Sequence, residues 1–300
     1  MDRVLYSAIL LLVMCQLLPA DPPLTFPNVE RTYIGLAIVE EPPTHAENRP
    51  VKAKPPRKGV FVDSASPRSP GSAAWNKIGE GALISKIEKT PIRSTDDFLA
   101  AIGTLEAGKE YEFEVSQLVL NKSKQPAWST PKRVTISPVL YRDWLLGCEV
   151  TEQDSFLNKW TTIPAGSDSD NPADPHLHYE VDGGSAKNLQ MIVTCFHDTP
   201  VYIKSIRVKV GEAIYNLPVK TATPRIGDRG EFVEHCSLSV EGKAVDMVRD
   251  LAFGSGECAI QFSGPKETSS WTVSEPGRSA FRETLTAYGL RGNPQILADK

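Results

Sequence analysis

The spacing of apolar residues changes several times along the first half of the chain. Residues 33–39 (YIGLAIV) form a nearly continuous apolar run of strand length, and 59–65 (GVFVDSA) form another. Between them, 41–58 holds Pro, Lys and Arg and almost no large apolar side chain, so it adds little to a core and reads as a long loop. Residues 69–75 read as a turn with one short helix, and 82–87 as a further strand. Ser94 offers a hydroxyl cap, Asp96 and Asp97 follow in the first turn, and Phe98, Leu99, Ile102 and Leu105 recur at helical spacing before Gly108. That pattern predicts a helix. Residues 111–115 and 133–137 alternate with period two, as half-buried strands do, with Trp128 and prolines in their connection.

The second half reads differently. After a boundary near 138–143 and a polar loop at 167–175, strands are predicted at 176–181, 189–196, 201–210, 232–240 and 259–262. Helical spacing is weak over 245–251 and clearer over 278–288, where Phe281, Leu285 and Tyr288 recur. The expected fold class is therefore α+β to mainly β: a small N-terminal module over 32–138, then a β-rich, sandwich-like domain over 143–292 with a C-terminal helix. No internal repeat is visible.

Composition narrows the picture. A chain of 300 residues suits two domains, and 40% hydrophobic content is enough to build their cores, which argues against global disorder. The net charge is −4 and no basic run with interleaved aromatics occurs, so a nucleic-acid partner is not expected. Residues 4–18 are almost wholly apolar and lead into Pro19-Ala20, which matches a secretory signal peptide over 1–20. The chain is thus expected outside the cytoplasm, in a periplasm or the extracellular space, meeting a membrane only if that segment stays uncleaved. Beyond it lie Cys148, Cys195, Cys236 and Cys258, an even number in the second domain. In an oxidising compartment these are candidates for two disulfides with three pairings open, the alternative being buried reduced thiols. The Asn121-Lys122-Ser123 sequon fits a surface connection.

In the first module the order strand, strand, short helix, strand, helix, strand, together with several local words, resembles the PDZ domain of the bacterial HtrA/Deg type. Tyr33-Ile34-Gly35-Leu36 is similar to the loop that binds a peptide carboxylate in that family, and Ser69-Pro70-Gly71-Ser72-Ala73-Ala74 to its "pgSPAA" segment. Ile87-Glu88-Lys89-Thr90-Pro91-Ile92 resembles its "ingkpv" turn. The chain departs from the pattern at Gly79-Glu80-Gly81-Ala82, where the family has a shorter Gly-Asp turn. The resemblance implies that the amides of Ile34, Gly35 and Leu36 hold a terminal carboxylate and that the peptide adds as a strand along Ala37 and Ile38. It also implies that Ile34, Leu36, Phe98 and Ile102 line the pocket for the last side chain, and that Gly35 is needed because the backbone must come close to the carboxylate.

The family's protease domain has no counterpart here. No G-x-S-x-G occurs, and Gly254-Ser255-Gly256-Glu257-Cys258 does not match it. His176 and His178 fall on one strand face, with His197 and His235 near other strand ends, but their spacing fits no metal-ligand motif. No metal, cofactor or catalytic residue is expected. The sequence thus points to a non-catalytic protein that recognises peptide or protein C-termini. The alternatives are a hydrolase with its site in the second domain and an envelope protein that uses the first module as a scaffold.

Overall fold

The structure is a computed structural model describing residues 28–41, 55–66, 68–120, 126–147, 149–154, 159–164, 174–219, 224–227, 230–265 and 267–297. The signal-like segment, 42–54 of the predicted loop, the sequon, Cys148 and 167–173 of the polar loop lie outside these residues.

The first unit runs through β1 (Thr32–Tyr33), β2 (Leu36–Val39), β3 (Val60–Ala65), the single-turn helices α1 (Pro70–Ala73) and α2 (Trp75–Ile78), β4 (Leu83–Ile87) and β5 (Thr90–Pro91). It continues with α3 (Thr95–Gly103), β6 (Tyr111–Ser116), β7 (Leu118–Leu120), β8 (Pro126–Trp128), β9 (Lys132–Ile136) and β10 (Val139–Leu140). Its main sheet is antiparallel in the order β2-β3-β4-β6-β9. Alternation sends Val60, Val62, Ile84, Phe113, Val115 and Val134 to one face, where they pack against Phe98, Ala101 and Ile102 of α3. On the other face Phe61 lies beneath Trp128, ring centroids 6.0 Å apart. The β7–β8 hairpin that carries Trp128 did not stand out in the sequence, since strands of three residues are too short to display a period.

The two ends of this unit meet. β1 pairs with β10, and Tyr141 and Arg142 donate backbone N–H bonds to Arg31 and Val29. The chain then enters α4 (Tyr141–Gly147) where the sequence suggested only a boundary.

The second unit adds β11 (Glu149–Asp154), β12 (Lys159–Pro164), β13 (His176–Asp182), β14 (Ser185–His197), β15 (Ser205–Val210), β16 (Ala213–Pro218), β17 (Arg225–Ile226) and β18 (Phe232–Ser239). It ends with α5 (Lys243–Phe253), β19 (Cys258–Ser263), β20 (Thr268–Thr272), α6 (Glu275–Leu290) and a 3-10 turn at Pro294–Leu297. Two antiparallel sheets result, ordered β11-β12-β13-β14-β18-β17 and β16-β15-β19-β20. Leu189, Met191 and Val193 of the first and Ile206, Val208, Ile260 and Phe262 of the second share one core with Met247, Leu251, Phe281 and Leu285 of the helices. The chain is therefore β-rich, with several sheets and a C-terminal helix.

Two expectations need correction here. The strand predicted over 201–210 begins only at Ser205, because the amides of Val201, Tyr202 and Ile203 bond to the Glu234 carboxylate in irregular backbone, with Tyr202 at φ +54°. The disulfide reading also changes: Cys195, Cys236 and Cys258 are free, buried thiols. Register explains this for the nearest pair. Cys195 lies opposite Glu234 and Cys236 opposite Val193, so the two cysteines are diagonal neighbours. Such neighbours stand roughly 7–8 Å apart, too far for a bridge without moving the backbone. Cys258 belongs to the other sheet. Burial pushes the Cys195 thiol up to about 11 and that of Cys236 up to about 12.

Candidate functional site

Among the described residues β2 is the edge strand of the first sheet, with no strand partner on one side of its backbone. Just before it, the chain is shaped by the 66–71 segment. The Ile34 carbonyl accepts from the Gly71 amide at 2.7 Å, and the Gly35 carbonyl accepts from the Ser66 amide at 2.8 Å and the Ser69 hydroxyl at 3.3 Å. In a trans peptide the N–H points opposite to the C=O of the same unit. Both carbonyls face the 66–71 segment, so the amides of Gly35 and Leu36 point the other way. The ladder gives the same answer for Leu36. The bond from Ser66 N to Gly35 O makes Leu36 and Ala65 a non-hydrogen-bonded pair, which turns the Leu36 N–H and C=O to the free edge. The result is two adjacent, outward-turned amides at the head of an open strand edge.

Gly35 is needed here for a reason other than the expected one. It sits at φ +68°, and a Cβ there would overlap the Ser69 side chain rather than intrude on a bound group. Gly71 is likewise pressed against Leu36 and the Ile34 carbonyl. The tight fit of α1 under the loop is thus what sets the direction of the amides.

Helix α3 runs alongside this edge. Ser94 caps it by accepting from the Asp97 amide at 3.2 Å. Its first turn is tied to the end of β2 by a bond from the Thr95 amide to the Glu40 carboxylate at 3.2 Å. Past its last turn, the Thr32 hydroxyl of β1 donates to the Leu105 carbonyl at 2.8 Å. The 32–40 segment and the helix therefore run antiparallel, tied through Thr32 at one end and Glu40 at the other.

Of the side chains expected to line a pocket, Ile34, Phe98 and Ile102 belong to the core, with Phe98 at 2% and Ile102 at 8% exposure. Leu36 and Ile38 are half-buried and pack against that core, while Ala37 is exposed. The large apolar side chain of α3 that stays exposed is Leu99, 59% exposed and one turn beyond Thr95. Sequence reading counted Leu99 among the helix's apolar residues without separating it from the core positions. Its exposure depends on which part of the helix the sheet covers.

Two histidine-bearing clusters among the described residues of the second unit bear on metal binding and catalysis. His176 and His178 share a face of β13, and His235 stands on the same sheet face, within 3.0 Å of the Thr194 hydroxyl. Among the described residues, no group of three or more His, Cys, Asp and Glu side chains is placed to hold a metal. Farther along, the Thr199 hydroxyl donates to Glu267 at 2.6 Å and lies 3.3 Å from His197 Nδ1, which is itself 3.4 Å from Glu267. A nucleophile–base–acid relay uses both imidazole nitrogens, one for each partner. Here both partners crowd the same nitrogen, so the cluster fastens a loop and does not form a relay.

No protein-family model and no curated protein matches this chain. The functional reading accordingly rests on the geometry of the strand edge.

Proposed function

We propose that the chain is a non-catalytic binding protein whose first unit is PDZ-like and takes the C-terminus of a peptide or protein along β2. The observation that carries this reading is the pair of outward amides at Gly35 and Leu36, placed at the start of an unpaired edge beside α3. A terminal carboxylate suits such a pair because it accepts charge-assisted bonds from both amides while the peptide backbone continues along the edge. The exposed Leu99 and the half-buried Leu36 and Ile38 offer apolar surface for the last side chain. The signal-like segment over 4–18 is our reason for placing this activity outside the cytoplasm.

The test is a titration of the full chain with a library of fluorescent C-terminal peptides, each hit repeated as its C-terminal amide. We expect micromolar binding that weakens at least about tenfold on amidation, since the amide carries no charge and keeps only one acceptor oxygen for the two N–H groups. Leu99→Glu should abolish binding while leaving the melting temperature close to wild type, because an exposed substitution seldom costs stability. Hits that bind equally well as amides would defeat the reading.

A further inference from the structure

The far end of β2 opens into a cleft that the carboxylate site does not use. A cavity of about 510 Å³ is lined by Glu40, Pro56, Arg57, Lys58, Phe61 and Arg93, among others. A second, of about 480 Å³, shares Arg57, Lys58 and Arg93 with it and adds Lys86, Lys89 and Glu114. Together they gather five cations and two carboxylates in a chain whose net charge is −4.

The carboxylates are engaged. Glu114 binds Arg57 at 2.5 Å and accepts from the Ser85 hydroxyl, and Glu40 accepts from the Thr95 amide. Asp97, close by, accepts from the Arg93 amide at 3.0 Å. Among the described residues, Lys58, Lys86, Lys89 and Arg93 make no ion pair, and Lys58, Lys89 and Arg93 are exposed. A surplus of cations in a concave site raises the local potential more than scattered surface lysines do.

From these facts we infer that the site selects C-termini carrying acidic residues about four to six positions before the end. The inference rests on the proposed carboxylate site and extends it. A carboxylate held at Gly35 and Leu36 leaves the peptide only one way to run, along β2 toward Glu40. At roughly 3.3 Å per residue, the four residues of β2 bring the peptide to the cleft about four residues before its terminus. Acidic side chains there meet Lys58 and Arg93 first, with Lys86 and Lys89 beyond.

The experiment uses the full chain and three sets of fluorescein-labelled decapeptides ending in valine, leucine or phenylalanine. The sets carry Glu, Gln or Lys at the fourth to sixth positions from the end and are otherwise identical. We expect the Glu set to bind about tenfold tighter than the Gln set at low salt and the Lys set to bind weakest, with the differences shrinking as salt is raised. The double variant Lys58→Glu, Arg93→Glu should erase the preference for Glu and leave the Gln set unchanged. Equal affinity for all three sets, with amidation still weakening them, overturns the selectivity and spares the carboxylate site. Binding of the Glu set that ignores amidation overturns the extension as stated, since the anion would then be read without the terminus. Failure of every peptide to bind overturns both.

Discussion

At Gly35 and Glu234 a single residue fixes the backbone through atoms far away in the chain. Replacing Gly35 with Ala puts a Cβ at φ +68° and drives it into Ser69. We expect Gly35→Ala to cost about 2–3 kcal/mol in urea denaturation, combining left-handed strain with the overlap. Peptide binding lost in that variant would report on folding, which is why Leu99 serves better as a probe of the edge. Glu234 is 2% exposed, and its carboxylate accepts from the amides of Val201, Tyr202 and Ile203 at 2.5, 2.9 and 3.0 Å. Removing it strands three N–H groups, two of them on buried residues. Glu234→Ala should therefore destabilise by about 3–5 kcal/mol, and Glu234→Gln by less because one acceptor oxygen remains. A urea midpoint for the Ala variant within error of wild type would show that water replaces the carboxylate. Neither role was legible in the sequence. Glu234 reads as one polar residue in an alternating strand, and its partners lie some thirty residues earlier.

The elements that announced themselves did so by long, clean periods or by caps. Helix α3 has both, with Ser94 at its start and Phe98, Ala101 and Ile102 along its buried face. α6 begins at a Ser274 cap and keeps Phe281 and Leu285 buried. By contrast α5 read as weak because Gly242, at φ +54°, stands at its start with no side chain to cap it. β16 and β17 escaped notice because one alternates only between half-buried and exposed positions and the other has two residues. The candidate edge was legible as far as Tyr33-Ile34-Gly35-Leu36, yet the direction of its amides depends on bonds to 66–71. The cysteines show the same limit, since an even count says nothing of register. With Cys195, Cys236 and Cys258 buried and their thiols shifted upward, the native chain should resist alkylation near pH 8. Denaturation without a reductant should then label all three, as read by peptide mapping. Protection that persists until a reductant is added would mean that they are bridged.

At the scale of the whole molecule, the joint between the two cores is a cluster of rings with a half-buried acid beside it. Tyr33 of β1 packs 5.1 Å from Tyr141 and 4.6 Å from Trp144 of α4, and Arg31 lies 4.6 Å over the Tyr141 ring. Glu283 of α6 faces this group. Burial pushes its carboxyl up from 4.5 to about 7, although Arg282 and Arg31 pull it down, and its charge adds to the upward shift of Tyr141. Between those two values the folded chain keeps a proton that the unfolded chain has released. Its stabilising effect is complete at the acidic end and is lost as pH rises through the folded value. The loss amounts to at most about 3 kcal/mol, from 1.36 kcal/mol per pH unit. Urea midpoints should accordingly fall between pH 5 and pH 8 more steeply for the wild type than for Glu283→Gln, whose side chain at that position carries no charge at any pH. Because α6 packs against α4, the weakening should also raise amide exchange at 31–33 and 141–144 ahead of the sheet cores. Parallel pH profiles for the two chains would instead place the Glu283 carboxylate in contact with water and leave the seam indifferent to pH.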